Sequence, residues 1–203
     1  MVLATKRLSF GEREERLLAA ATRLFSQLGY RGTTTRAIAQ EAGINEALLF
    51  RHFPTKEALY ETLLHRTIEE WSQEVLLALE DLSKKTLSQA LVEVAQVLIR
   101  KIEADPSLLR TVVFACLEGH RLGKSFFKKN PPIKAFMESL LKDHQQRGEI
   151  KKLDPALMAA TYLSLIFYYI HMKEIFGAQE FFYGPEKVTL EFFTKVFLEG
   201  IAS

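Results

Sequence analysis

Apolar residues return every three or four positions along almost the whole chain, the spacing that lines one face of an α-helix. In residues 12 to 29, EREERLLAAATRLFSQLG, the apolar set is Leu17, Ala21, Leu24, Phe25 and Leu28, and Gly29 marks a stop. Thr34 caps a short second helix that holds Ile38, Ala39 and Ala42, with Gly43 behind it. A third short helix, NEALLFRH, starts on Asn45 and ends at Phe53-Pro54, because proline disfavours helical backbone in the residue before it. Thr55 caps a long fourth helix running to Leu82, with Leu59, Leu63, Trp71, Val75 and Leu79 along one stripe. Further helices are predicted at 86 to 103, after Asp105-Pro106, and at 132 to 147, 155 to 176 and 186 to 200. The last two open on Asp154-Pro155 and Gly184-Pro185, where a proline loses no backbone bond. GHRLGKSFFKKNPP, residues 119 to 132, reads as a loop or a broken helix. With no alternating strand pattern and no repeat, the fold class is all-α, about nine helices.

At 203 residues, 48% apolar and 26% charged, the chain has the length and composition for a substantial core. A net charge of +2 names no partner, but its distribution does. Residues 1 to 56 carry nine Lys and Arg against five Asp and Glu, whereas residues 57 to 203 carry eighteen against twenty. A basic head on a near-neutral body suits a polyanion. The single cysteine, Cys116 in TVVFACL, allows no internal disulfide, fits a reducing interior and reads as a small buried hydrophobe. The five histidines are scattered without metal-ligand spacing, and there is no Gly-rich phosphate loop, nucleophile elbow or Cys/His cluster. No enzyme, metal or cofactor is therefore expected. Glu118-Gly119-His120, the one close acid and histidine pair, reads as surface. The run PALMAATYLSLIFYYIHM approaches bilayer-spanning length, but it carries Thr161, Ser164, three tyrosines and His171 and has no companion segment. It is read as the centre of a helical core or as a subunit interface, with no membrane contact. The first sixteen residues hold no long apolar run and look like a short basic arm, not a secretory signal.

The chemistry concentrates in residues 33 to 53, TTTRAIAQEAGINEALLFRHF. Two short helices around a turn centred on Gly43 match a helix-turn-helix, with Ile38, Ala39, Ala42, Ile44 and Leu49 facing inward. Around them stand Ala20-Ala21-Thr22-Arg23-Leu24-Phe25, Gly29-Tyr30, Thr33-Thr34, Ile38-Ala39, Ala42-Gly43-Ile44, Leu49-Phe50, Phe53 and Lys56-Glu57-Ala58-Leu59. In that order and register, the stretch from Glu15 to Leu59 resembles the DNA-binding domain of the TetR (tetracycline-repressor) family of transcription regulators.

The resemblance implies a helix-turn-helix domain over 1 to 56 and an effector-binding and dimerisation domain over 57 to 203. It places Thr34, Arg36, Phe50, His52, Thr55 and Lys56 at phosphate-contacting positions, which fix register without reading sequence. Glu46, Ala47, Leu48 and Arg51 fall where the family reaches base edges: Leu48 toward a thymine methyl, Arg51 toward guanine O6 and N7. Asn45 replaces the usual Ser or Thr as the helix cap, Ala47 a glycine, and Phe50 a tyrosine whose hydroxyl would have met a phosphate. The partners implied are a palindromic operator in double-stranded DNA, a second copy of the chain, and a small effector, in a prokaryotic cytoplasm. Met158, Tyr162, Leu165, Tyr169 and Met172 on one helix, with Leu190, Phe193 and Phe197 on the last, are expected to pair with their copies across a homodimer. Phe114, Leu117, Phe126, Phe127, Phe136, Met137, Phe167 and Tyr168 are the candidates for an effector pocket. Such a lining favours a hydrophobic ligand, with His120, Arg121 or Lys124 as anchors for an acidic group. An activator with the same DNA contacts, or a helical adaptor binding an acidic protein through the Arg51 face, are the alternatives.

Overall fold

The computed structural model describes residues 9 to 79, 82, 85 to 121, 132 to 182 and 184 to 201. Among them are nine α-helices and no strand: α1 Phe10–Gly32, α2 Thr35–Glu41, α3 Glu46–His52, α4 Lys56–Ala78, α5 Leu87–Ala104, α6 Ser107–Leu117, α7 Pro132–Gln146, α8 Pro155–Glu174 and α9 Glu186–Ile201. A 3-10 turn, Gln179–Phe181, precedes α9. The starts follow local chemistry. Ser9 and Glu12 form a capping box on α1, Thr86 and Gln89 another on α5, and Asp154 caps α8 ahead of Pro155. The fourth helix stops at Ala78, short of the expected Leu82.

The chain forms two compact units. The first takes α1, α2, α3, α4 up to Glu69, and α6, which returns to it from Ser107. It reaches beyond residue 56 because one apolar cluster holds Leu17, Phe25, Ile38, Leu49 and Phe53 together with Leu59, Tyr60 and Leu63 of α4 and Val112 and Ala115 of α6. Arg66 of α4 also grips Glu15 of α1 with two bonds, at 2.6 and 3.1 Å. The second unit takes the rest of α4, α5, α7, α8 and α9. Here α8 packs on α5, α7 and α9, and Leu91, Leu98, Met137, Tyr162 and Ile166 are fully enclosed. Lys173 on α8 reaches Glu103 of α5 and, at 3.1 Å, Glu186 of α9, which ties the three helices together.

Pro155–Glu174 is the helix among the described residues with the length and composition to cross a membrane. Much of its surface, Met158, Ala159, Tyr162, Leu163 and Ile166, is already covered by its own unit.

Candidate nucleic-acid interface

The α2–α3 pair is built from short-range bonds. Thr34 Oγ1 accepts from the Ala37 amide at 3.1 Å, and Asn45 Oδ1 from the Leu48 amide at 2.8 Å, so each helix begins with a satisfied donor. At the turn, Gly43 has φ 70°, a left-handed conformation that other residues adopt at a cost. The amides of Gly43 and Ile44 fold back onto the Gln40 and Ala39 carbonyls at 3.1 and 3.0 Å. The Thr35 hydroxyl donates to Glu46 Oε1 at 2.6 Å, joining the first turn of α2 to the first turn of α3. Ile38, Ala39, Ala42, Leu49 and Phe53 are buried as expected, and Ile44 is half-buried.

That packing leaves Ala47, Phe50 and Arg51 exposed on α3 and Arg36 exposed on α2, with Leu48 half-buried between the two environments. Phe50 is 44% exposed, a large figure for an aromatic ring. The result is a small, rigid, partly apolar face carrying two guanidinium groups.

Two expected phosphate contacts have other work. The His52 side chain is fully buried and stacks on Phe10 at 3.9 Å; Glu14 Oε2 stands 3.9 Å from Nδ1, and among the described residues neither ring nitrogen has a hydrogen-bond partner. Lys56 turns inward, donating to the carbonyls of Tyr30 at 2.6 Å and Thr33 at 2.8 Å, with its ammonium 4.1 Å from the Tyr30 ring centre. Burial lowers the Lys56 pKa, against the pull of Glu118 and Glu57. Thr34, Asn45 and Thr55 are exposed, and each serves as a cap, Thr55 accepting from Ala58 at 3.0 Å. Lys56→Met is therefore expected to lower stability by about 1 to 3 kcal/mol, the cost of two carbonyls left without a donor. A lost phosphate contact would instead reduce the salt slope of DNA binding by about one. Urea unfolding and salt titrations of binding separate the two.

The surface reading of Glu118-Gly119-His120 is corrected. Glu118 accepts from the amides of Tyr30 and Arg31, and His120 lies against the rings of Tyr30 and Tyr60, at 4.6 and 5.0 Å, with Nε2 2.9 Å from Glu57. Arg121 also binds Glu57, at 3.0 Å, and pairs with Glu61. Burial works to raise the Glu57 carboxyl, but bonds from His120, Arg121 and Tyr30 together hold it below its ordinary value. Burial, with the same carboxylate, pushes the Tyr30 hydroxyl up to about 12. His120 and Arg121 are thus engaged with carboxylates of this chain and are poor anchors for a ligand's acidic group. No sequence signal marked Tyr30, Glu57 or Glu118 as partners, because the bonds from Glu118 span 87 and 88 residues.

The expected effector residues fall in both units. Phe114 and Leu117 belong to the first unit, where Leu117 is 79% exposed; Phe136, Met137, Phe167 and Tyr168 belong to the second. Met137 is closed core, whereas Tyr168 lies at the surface against Phe181 and Phe182. Phe126, Phe127 and Lys124 lie outside the described residues. An open groove of about 710 Å³ does occur in the second unit, lined by Lys85, Ser88, Gln89, Val92, Glu93 and Gln96 with Glu191. Cys116, expected to be buried, is exposed, and partial burial still raises its thiol pKa.

The structure divides the expected dimer residues by burial within their own unit. Met158, Tyr162, Tyr169, Leu190 and Phe197 are the unit's own core, with the Tyr162 hydroxyl bonded to Thr194 at 2.8 Å, and Leu165, Met172 and Phe193 are half-buried. The uncovered stripe of α8 is Leu157, Thr161, Ser164 and Tyr168; that of α9 is Val188, Phe192 and Val196.

Comparison with known proteins covers both halves of the chain. Residues 17–63 match the model of the bacterial regulatory proteins of the tetR family, and residues 78–190 match that of the AefR-like transcriptional repressor C-terminal domain. The uncharacterized HTH-type transcriptional regulator YvkB of Bacillus subtilis strain 168 is 28% identical over 190 residues, 93% of this chain and 97% of that protein. The nucleoid occlusion factor SlmA of Vibrio cholerae is 31% identical over 157 residues, 76% of this chain and 79% of that protein. Among solved structures, the transcriptional regulator FadR of Bacillus subtilis, in complex with stearoyl-CoA, superposes with a TM-score of 0.72 at 18% identity, over 92% of this chain and 98% of that one. A capped helix pair with an exposed arginine face, followed by a matched regulator domain, places this chain in the TetR family of bacterial DNA-binding transcriptional regulators.

Proposed function

We propose that the protein is a ligand-responsive repressor that binds a palindromic operator as a homodimer in the bacterial cytoplasm and leaves it when a small hydrophobic effector binds. The observation that carries the DNA half is the exposed Ala47, Phe50 and Arg51 face of α3 on a helix pair whose caps and core are satisfied. Small Ala47 admits the edge of the groove, Phe50 offers an apolar contact, and Arg51 is the group suited to a bidentate bond with guanine. Arg36 supplies a charge for the backbone.

Two copies are needed because a single short helix reads too few bases; a twofold dimer doubles the contact over two half-sites. The uncovered stripes of α8 and α9 supply an apolar surface for that pairing. For the effector, the support is the likeness in fold to FadR, whose solved complex holds stearoyl-CoA, and that makes long-chain acyl thioesters the first compounds to try. Release follows from linkage: a ligand that prefers a state with wrongly placed heads lowers DNA affinity by its preference between the states and by no more.

Selection from random duplex DNA at about physiological salt tests the reading. A palindrome is expected, and Arg51→Ala should relax one position in each half-site and weaken binding by about 1 to 3 kcal/mol. Recovery of no sequence would instead favour the adaptor, with the Arg51 face on an acidic protein. Thermal shifts with acyl thioesters and fatty acids test the ligand class.

A further inference from the structure

The last four residues of α1, Gly29 to Gly32, and Thr33 after them have their backbone held from two sides. Helical geometry breaks at Gly29, with φ 70° and ψ 178°. The amides of Tyr30 and Arg31 then point to the Glu118 carboxylate, donating to Oε2 at 3.0 Å and to Oε1 at 3.1 Å. The Arg31 guanidinium returns a bond to the Glu118 carbonyl at 3.3 Å. From the other side Lys56 takes the carbonyls of Tyr30 and Thr33, and the Thr33 hydroxyl closes on the Gly29 carbonyl at 2.8 Å. The next residue, Thr34, is the cap of α2. One carboxylate and one ammonium therefore hold the connection through which the DNA-reading pair leaves α1.

Glu118 is delivered to this turn by the end of α6. The amides of Gly119 and His120 fold back onto the carbonyls of Cys116 and Ala115, at 3.1 and 2.8 Å, which closes the helix and leaves Glu118 against α1. The approach is close enough that a Cβ at Gly29 would stand 2.6 Å from Glu118 Oε1. Both amides donate to one ionised group, and such bonds are roughly twice as strong as neutral ones. A neutral loop residue in place of Glu118 would leave two donors free and the turn free to shift.

We propose that Glu118 is a positioning residue for DNA recognition: it holds the α1–α2 connection, and through it α3, in the placement that lets Arg51 and Ala47 read bases. The proposal rests on the regulator reading given above. Base contacts need placement within a fraction of an ångström, whereas phosphate contacts and the general field of a basic head tolerate displacement. Loss of Glu118 thus weakens binding to the operator and spares binding to random DNA.

The test uses the full-length protein, the operator recovered by selection, and a scrambled duplex, with Glu118→Ala and Glu118→Gln. Glu118→Ala is expected to bind the operator about tenfold more weakly, equivalent to about 1.4 kcal/mol, with the scrambled duplex changed by less than about twofold. Glu118→Gln keeps an acceptor oxygen and should lie between alanine and the native residue. Operator binding unchanged in both variants overturns the proposal, whatever happens to thermal stability. So does an equal loss on both duplexes, which reports loss of folded heads and not their placement. Hydrogen exchange on the unaltered protein gives an independent arm: the Tyr30 and Arg31 amides should be protected like those inside α1, and exchange as fast as an open loop means that the clasp does not exist. If the native protein selects no operator, the regulator reading is what fails, and the exchange result still decides the clasp.

Discussion

Phe192→Lys is expected to turn the proposed dimer into a monomer that keeps its helix content, and to weaken operator binding by more than about a hundredfold through loss of the second half-site. Phe192 is 61% exposed, and it stands between Val188 and Val196 at intervals of four on one face of α9. Ion pairs from Lys187 to Glu191 and from Lys195 to Glu199 run beside that stripe, as polar rims do around an apolar interface centre. On α8 the uncovered stripe has Leu157 and Tyr168 at its ends and small residues between them. Thr161 and Ser164 return their hydroxyls to the carbonyls of Leu157 and Ala160, so this face presents few unmet polar groups and admits close helix approach. Uncovered aromatic and branched side chains in rows of this kind mark association surfaces, and a lysine at the centre of one carries a charge that a covering partner helix would have to desolvate. Sedimentation equilibrium at micromolar concentration is the measurement. A variant that stays dimeric moves the interface elsewhere. Phe197→Lys is the contrast: its ring is buried against Tyr162, so it should unfold the unit and not merely separate two folded copies.

Leu49→Ala should destabilise the DNA-binding unit by about 2 to 5 kcal/mol, the usual range for emptying a closed leucine site. Leu49 is wholly buried, and its neighbours in the cluster, Ile38, Ala39 and Phe53, come from short elements that have little else to hold them. Total stabilities of such domains run from about 5 to 15 kcal/mol, so this one change removes a large share. Leu48→Ala, one residue earlier, should act differently. That side chain is half-buried on the outward side of α3, and its loss should show in base preference more than in unfolding. Urea unfolding of both variants, followed by selection with each, distinguishes the inward leucine from the outward one. Equal destabilisation would mean that α3 is rotated so that Leu48 is as enclosed as Leu49.

The helix-turn-helix was legible in the sequence because its determinants are local. A cap acts on an amide two or three residues away, a glycine sets its own φ, and a seven-residue helix shows both faces within two turns. Thr34 and Asn45 could be assigned as caps, Gly43 as the turn and Leu49 as core, and each holds that place in the fold. The apolar run of α8 was legible as a helix, but its orientation was not. With apolar residues on nearly every side, Tyr162 and Tyr169 were as eligible for a partner subunit as Leu157 and Tyr168, and only packing on α5, α7 and α9 separated them. The expected effector residues are illegible for the same reason, since an aromatic side chain on a helix suits a core, a pocket and a surface equally well.

Charged residues at element ends were the least legible. Lys56 at the start of α4 has the sequence position of a phosphate contact, yet in the folded unit its ammonium meets the carbonyls of Tyr30 and Thr33. Glu118 meets Tyr30 and Arg31 and becomes a clasp only because α6 returns to pack on α1. Local order along the backbone, meaning which segments are helical, where they start and which short pair can enter a groove, was carried by the sequence through interactions within four residues. Which apolar face is core, which lysine is free and which carboxylate holds the reading helices waited on tertiary structure, because those outcomes depend on groups brought together across dozens of residues, and no periodicity records that encounter.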